Sequence, residues 1–308
     1  MDILIQKCLI IVCTIERMMK KQLIINADDF GIHEAVNLAV YRGFESGILT
    51  STSIMAGGDA FSSAVRLSRE MGNIGIGIHL TLVGTLTTVL PAEEVPTLTW
   101  EKGVLCKDYL ELILRDMKGL ISLDDVYREW DAQIRKVLDA GISITHIDGH
   151  QHLHMWNKFF PIALALGKKY KIPCMRVPDE SFFFDISAKN ILRSMAGTGL
   201  AFIARRHRSV LKQMNVKTND YFYGMLYGGH LTEDRIINLL SRVKSGVTEI
   251  MCHPSSNEQE MDRQFRWGYH GESELQALLS TTVKEKIDEE SIDLISYRDV
   301  AIEGISAK

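Results

Sequence analysis

At 308 residues, with 46% hydrophobic and 24% charged residues, the chain has the composition of an ordinary soluble enzyme and the length for one large α/β domain or two small ones. The formal net charge of −4 argues against nucleic acid or an anionic membrane as a partner. The five cysteines are odd in number and include no C-x-x-C pair, which argues against a disulfide framework and predicts a cytoplasmic protein.

Residues 1–17 are interpreted as an N-terminal extension that is dispensable for the fold. Their apolar run at 9–13 is too short to span a bilayer, and Asp2, Glu16 and Arg17 do not suit a secretory signal. We therefore place the domain at 18–308.

From Lys21 onward, segments with strand character alternate with segments of helical spacing. Apolar or glycine-alternating runs predict strands at 23–27, 50–56, 74–80, 142–148, 174–177, 221–227, 248–252 and 292–297. Helical spacing predicts helices at 34–46, 60–71, 122–140, 158–170, 188–214 and 232–245. This alternation predicts an α/β fold, a single TIM-like (β/α) barrel in regular or distorted form, rather than a Rossmann sheet. Residues 85–120 and 180–220 are predicted to be helical insertions over one barrel face.

Acidic, histidine and arginine side chains gather where the predicted strands end. Because these ends lie on one face of a parallel barrel, we expect the side chains to converge there. A set that mixes carboxylate and imidazole suits Zn²⁺, or Mg²⁺ or Mn²⁺ with water in the remaining positions. The residues concerned are Asp28, Asp29, His79, His146, Asp148, His150, His152, His154, Arg176 and His253.

Each of these features also has a purely structural explanation. An Asp-Asp pair after a strand is often a helix cap and a solvated turn, and a single histidine such as His79 is often a packed core residue. The segment His150-Gln151-His152-Leu153-His154 has period two, so its histidines would share one face of an extended chain, which is typical of a metal site. The prediction of a site depends on the common position of these residues.

Four motifs give the chain a specific resemblance. They are LIINADDFG at 23–31, GIHLTL at 77–82, THIDGHQHLHM at 145–155 and CHPS at 252–255. In sequence and order they resemble the YdjC-like carbohydrate deacetylase family. The resemblance implies a TIM-like barrel, a divalent metal, with Mg²⁺ favoured and Zn²⁺ as the alternative, and hydrolysis of the N-acetyl group of a sugar such as a chitooligosaccharide.

The resemblance also implies roles for individual residues. His79 and His150 match the metal-binding histidines, and one aspartate of the Asp28–Asp29 pair completes the site. By wider analogy with polysaccharide deacetylases, Asp28 would be the general base and Asp29 the metal ligand. For amide hydrolysis we expect His253 to protonate the departing amine. Arg176 is the candidate substrate-binding residue, holding a sugar oxygen or orienting a carboxylate, with a surface ion pair as the alternative.

Three other functions are compatible with parts of the sequence. An amidohydrolase-type metalloenzyme also uses a barrel, although its His-x-His pair is expected on the first strand, which here ends in Asp-Asp. A cysteine hydrolase could use Cys252 beside His253, but adjacent strand residues point to opposite faces. The third alternative is a sugar-binding protein without catalysis. The basic run at 205–208 is interpreted as a solvated helix face, and the insertion around it is a candidate lid or homodimer contact.

Overall fold

Parallel strands organise the described part of the chain, which in the computed structural model comprises residues 20–99, 103–180 and 191–302, with only the backbone described in 191–198 and at 200. The strands are β1 (Lys21–Phe30), β2 (Ser51–Ile54), β3 (Gly75–Leu80), β4 (His146–Gly149), β5 (Cys174–Met175), β6 (Tyr221–Tyr223), β7 (Gly246–Cys252) and β8 (Ile292–Leu294). Each lies within or beside a segment that the sequence predicts as a strand.

The helices between the strands match the predicted ones in the first part of the chain and exceed them towards the end. They are α1 (Glu34–Ser46), α2 (Phe61–Ser68), α3 (Tyr109–Met117), α4 (Leu123–Asp139), α5 (Phe160–Lys169), α6 (Ile191–Gln213), α7 (Glu233–Leu240), α8 (Glu258–Phe265), α9 (Gly271–Leu279), α10 (Thr281–Glu289) and α11 (Tyr297–Ile302). The sequence did not predict α8 to α11, and it placed α3 only within the helical insertion at 85–120. Helix α8 illustrates the reason, because Met261 and Phe265 are its only apolar residues, which is a weak pattern from which to predict a helix.

The sheet has the strand order β5-β4-β3-β2-β1-β7-β6, and β8 pairs with the start of β1. Strands β1 and β7 pair in parallel from Lys21 and Gly246 to Ala27 and Cys252. The sheet is strongly curved, since Arg176 directly after β5 reaches Asp28 on β1 with hydrogen bonds of 2.7 Å.

The strands at the two ends of this order, β5 and β6, barely pair. Among the described residues their segments are joined by one isolated bridge between Cys174 and Lys217. The side chain of Asn219 extends the contact by accepting a hydrogen bond from the Val177 amide at 2.8 Å and donating one to the Val177 carbonyl at 2.9 Å. The α/β class and the parallel sheet are thus confirmed, whereas a full TIM barrel is not. With two and three residues, β5 and β6 are too short to form a ladder that completes the ring.

The interior changes from apolar to polar along the strands. Because side chains alternate along a strand, Ile24, Asn26 and Asp28 lie on one face of β1. Ile24 belongs to a small buried cluster with Cys174, Val247 and Tyr297, which fills one end of the interior. Asn26 and Asp28 follow towards the carboxyl end of the strand, where both are buried. This end of the curved sheet therefore holds polar groups that must find partners.

No helix among the described residues combines the length and the apolar character needed to cross a bilayer. The expectation that residues 1–17 are dispensable lies outside the described residues.

Candidate metal centre and active site

The two aspartates at the end of β1 point in different directions. The register between β1 and β2 shifts between Ala27 and Phe30, and Asp29 has a φ of 67°, in the left-handed region. Aspartate enters this region more readily than most residues that have a Cβ. The shift separates consecutive carboxylates, so that Asp28 faces Arg176 and Asp29 faces His150.

Asp29, His79 and His150 form a compact buried triad. Oδ1 of Asp29 lies 3.3 Å from Nε2 of His79 and 3.0 Å from Nδ1 of His150. One donor atom from each of the three residues lies within 4.8 Å of the others, a spacing at which they could hold a metal ion. His79 comes from β3 and His150 directly follows β4, so neighbouring strand ends supply the histidines.

The hydrogen bonds of His79 favour a cation in the centre of the triad. Its Nδ1 lies 2.8 Å from Oδ1 of Asp148, so a neutral imidazole would donate its proton there. Its Nε2 would then present a lone pair to the carboxylate of Asp29, an arrangement that needs a proton or a metal ion between the two atoms. A histidine held by a carboxylate through its second nitrogen is typical of metal ligands.

Arg176 is buried in a cage of three carboxylates. Its Nη1 and Nη2 donate to the two oxygens of Asp28 at 2.7 Å each, and Nη1 also lies 2.9 Å from Oδ2 of Asp148. Its Nε donates to Glu249 at 2.8 Å. The side chain is fully buried, so it is not a surface ion pair, and its donors reach the site through Asp28. Asn26 fixes the same Asp28 carboxylate with a hydrogen bond of 2.8 Å.

The pKa shifts in this cluster reflect burial and the close contacts between carboxylates and histidines. Burial alone would lower the pKa of His79, but the carboxylates of Asp148 and Asp28 raise it to about 10. Burial alone would raise the pKa of Asp29, but His150 and His79 hold it well below its ordinary value. Burial raises the pKa of Glu249 to about 7, against the opposing effect of Arg176. The carboxylates around His79 thus stabilise positive charge at this ring.

His253 lies in the same cleft as the aspartate pair. The lining includes Asp28, Asp29, His253, Trp267 and Tyr269. Burial lowers the pKa of the half-buried His253 below the ordinary value of histidine. Its Nδ1 has no hydrogen-bond partner among the described residues, so the ring can serve a bound molecule.

Glu274 holds the backbone beside His253 in place. This fully buried carboxylate accepts hydrogen bonds from the amides of His253 and Leu231, and burial raises its pKa to about 7. The loop that carries His253 is thereby tied to the first turn of α9.

The histidine-rich segment after β4 does not form an extended chain, so the prediction of three histidines on one face is wrong. Residues His150–Met155 form a short 3₁₀ segment in which Gln151 and His152 have φ values of 52° and 58°. Only His150 joins the triad, while His154 approaches the carbonyl of Arg176 at 3.1 Å. His146, on β4 itself, stacks on Tyr297 with a centroid distance of 3.8 Å.

Several contributors to the site had no role in the sequence-based prediction. Asp148 was recognised only as one of a cluster, although it contacts both His79 and Arg176. Its position two residues before His150 is the signal that could have identified it. Ser53 donates to Asp148 at 2.5 Å, but a serine inside a buried strand gives no such signal. The same holds for Asn26, Glu249 and Glu274, which contact Asp28, Arg176 and the His253 amide without any sequence pattern that marks them.

The structure does not favour Cys252 as a nucleophile. The side chain is buried, and its Sγ lies 3.4 Å from the carbonyl oxygen of Asn26. Burial raises the pKa of its thiol well above the ordinary value, which opposes formation of the reactive thiolate.

Two curated relatives align over nearly their whole length. A carbohydrate deacetylase from Geobacillus stearothermophilus is 30% identical over 282 residues, covering 91% of this chain and 98% of the relative. A chitooligosaccharide deacetylase from Salmonella paratyphi B is 29% identical over 286 residues, covering 92% of this chain and all of the relative.

A solved structure and a family model agree with these matches. A protein from Enterococcus faecalis V583, provisionally described as a cellobiose-phosphate cleavage protein, superposes with a TM-score of 0.74 at 30% identity. The superposition covers 92% of this chain and 99% of that protein. The family model described as YdjC-like protein matches residues 22–289, which contain every residue of the candidate site. The chain therefore belongs to the YdjC-like protein family.

Proposed function

We propose that this protein is a metal-dependent carbohydrate deacetylase, which hydrolyses the N-acetyl group of an acetylated sugar and releases acetate. The observation that carries the proposal is the triad of Asp29, His79 and His150 beside the Arg176-bound carboxylate of Asp28. This arrangement combines a metal-binding set with a separate candidate base. The names of the aligned relatives support sugar deacetylation, and a chitooligosaccharide is the proposed substrate class.

The triad fits a divalent metal as its cofactor. Asp29 would supply an oxygen ligand, and His79 and His150 would each supply a nitrogen. The family resemblance favours Mg²⁺, whereas two imidazole donors are more typical of Zn²⁺, so both ions belong in the test. A bound divalent ion would act as a Lewis acid on the acetyl carbonyl and lower the pKa of a water molecule.

Asp28 and His253 would transfer the protons of the reaction, and Arg176 and Asn26 would orient Asp28. Asp28 would accept a proton from the attacking water while Arg176 and Asn26 keep its carboxylate oriented. The water oxygen bonds to the acetyl carbon, and the carbon–nitrogen bond then breaks. His253 would deliver a proton to the departing amine from its position in the cleft beside the aspartate pair. The products are acetate and the free amino sugar. We assign Arg176 to positioning Asp28, since its donors meet carboxylates of this chain.

We further propose one catalytic domain over 18–308 in a cytoplasmic protein. The proposal of a cytoplasmic protein rests on the sequence, whose five cysteines are odd in number and include no C-x-x-C pair. A homodimer is compatible with this proposal, and sedimentation of the purified protein would test it.

The experiment is acetate release from N,N′-diacetylchitobiose after removal of metal with a chelator and separate addition of Mg²⁺ or Zn²⁺. We expect activity to disappear with the metal and to return with one of the ions. His79→Ala and His150→Ala should lose both bound metal and activity. His207→Ala is the matched control, because His207 stacks on Phe160 and belongs to neither group of candidate metal ligands. Acetate release by metal-free protein, or full metal content in both triad variants, would contradict the proposal.

A further inference from the structure

Three aromatic side chains form a wall along the cleft beside the aspartate pair. The rings of Phe265 and Trp267 stack with a centroid distance of 4.7 Å and an interplanar angle of 26°. Tyr269 continues the wall at 5.3 Å from Trp267. Trp267 and Tyr269 line the same cleft as Asp28, Asp29 and His253.

This aromatic wall connects the two chemical parts of the site. The ring of Trp267 lies 5.8 Å from the ring of His150, a candidate metal ligand. The ring of Tyr269 lies 5.1 Å from the ring of His253, the candidate acid. A molecule that lies against Trp267 would therefore have the metal-binding triad on one side and the proton donor on the other.

The backbone around Trp267 holds it in the cleft by a strained turn. Arg266 and Gly268, on either side of it, have φ values of 55° and 64°. Asp262 stabilises the turn twice, because its carbonyl accepts from the Arg266 amide at 2.9 Å and its carboxylate accepts from the Gly268 amide at 3.1 Å. A left-handed residue other than glycine costs free energy and is often retained for function.

Trp267 also remains half-buried, although the protein could bury an apolar ring of this size completely. The fully buried Trp130 in the core shows the contrast. A large aromatic surface left open inside a cleft is typical of a ligand-binding wall. The apolar face of a pyranose ring, formed by C–H groups, packs well against such a surface.

We propose that Trp267 is the platform on which the pyranose ring of the substrate stacks, so that the site prefers acetylated sugars in ring form over small N-acetyl compounds without a ring. This inference rests on the proposed deacetylase function and names the feature that selects its substrate class. Phe265 and Tyr269 position the platform from either side.

The test measures binding separately from turnover. In an Asp28→Asn background, which should hold the sugar without hydrolysing it, calorimetry gives the Kd for N,N′-diacetylchitobiose. Trp267→Phe keeps an aromatic face and should bind within about threefold of the background, whereas Trp267→Leu should weaken binding about tenfold. Metal content should stay unchanged in both. An unchanged Kd in Trp267→Leu would overturn the inference.

Activity with two substrates gives the second readout. In the otherwise unaltered enzyme, Trp267→Leu should lower kcat/KM for the chitobiose about tenfold, and the ratio of this value to kcat/KM for N-acetylethanolamine should fall with it. An equal loss on both substrates would mean that Trp267 supports the site only structurally, which overturns the inference.

A spectroscopic measurement covers the case in which Trp267→Leu fails to fold. The chain has four tryptophans, so incorporation of 5-fluorotryptophan gives few fluorine resonances, and Trp267→Phe identifies the one from Trp267. That resonance should shift when the sugar is added, and its failure to shift while another tryptophan responds would refute the platform. If the unaltered enzyme releases no acetate from any sugar, the proposed function fails instead.

Discussion

Replacing Arg176 by methionine tests whether its guanidinium compensates the buried carboxylates. Methionine has a similar length but no charge, so Asp28, Asp148 and Glu249 would stay buried without the cation that they contact at 2.7 to 2.9 Å. Removing one partner of a buried ion pair costs about 3–5 kcal/mol, a large part of a typical unfolding free energy of about 5–15 kcal/mol. We expect Arg176→Met to lower the unfolding free energy by at least about 3 kcal/mol.

The loss should also depend on pH in a defined direction. In the unaltered protein, Arg176 and His79 hold the pKa of Asp148 well below its ordinary value, in opposition to burial. Without Arg176, burial would raise the folded-state pKa of Asp148 and would raise that of Glu249 further above its unfolded value. A carboxyl group shifted in this way destabilises the fold as pH rises. The deficit of Arg176→Met should therefore grow from pH 5 to pH 8.

Urea denaturation at pH 5, 7 and 8 measures both effects. The matched control is Arg135→Met, because Arg135 is 56% exposed and pairs with Asp131 at 3.2 Å on the surface of α4. Such a surface pair contributes at most about 1 kcal/mol. The reasoning is refuted if Arg176→Met costs no more than the control, or if its deficit is the same at all three pH values.

Three further predictions address other parts of the molecule. Asp29→Asn should lose metal affinity, whereas Asp28→Asn should keep the metal and lose about 10²–10⁴ in kcat; metal analysis and kinetics on both variants would reveal an exchange of roles. Gly77→Ala should cost about 1–3 kcal/mol, because the added methyl would overlap the imidazole of His146, whereas Gly72→Ala, with open space around it, should be near neutral. Thermal unfolding of both variants checks this difference. Burial raises the pKa of Glu180 to about 7, so its contribution to stability falls as pH rises from about 4.5 to 7. Glu180→Gln should flatten that part of the stability profile, and an unchanged slope would contradict the assignment.

The sequence was informative where one strand carries its own pattern. The alternation of glycine and isoleucine before His79 predicted β3, and the run before Asp28 predicted β1. The convergence of their ends followed from the parallel arrangement alone. The structure brings Asp28, Asp29, His79, His150 and Arg176 together as that argument expects.

Features that depend on contacts between distant segments could not be predicted in the same way. The bend after β4 is set by two left-handed residues, Gln151 and His152, neither of which is a glycine. Glu249 lies inside an apolar strand, and only its partners Arg176 and Tyr297 explain its burial. No local period records such pairings, because the residues involved are 48 or more positions apart.

Because β5 and β6 pair weakly, Arg176 also helps to hold the curved sheet closed, in addition to orienting Asp28. Because few backbone hydrogen bonds join the two segments in the described part of the chain, the curved sheet would open most easily at this junction. Amide hydrogens there should therefore exchange sooner than those between β1 and β7. Arg176 directly follows β5, and its guanidinium spans the interior to Asp28 on β1 and Glu249 on β7. The ion pairs thus hold the β5 end of the sheet to β1 and β7 from within, where backbone pairing among the described residues is limited to one isolated bridge. Asp28, the proposed catalytic base, accepts two of these hydrogen bonds from Arg176. The position of its carboxylate and the closure of the sheet therefore change together.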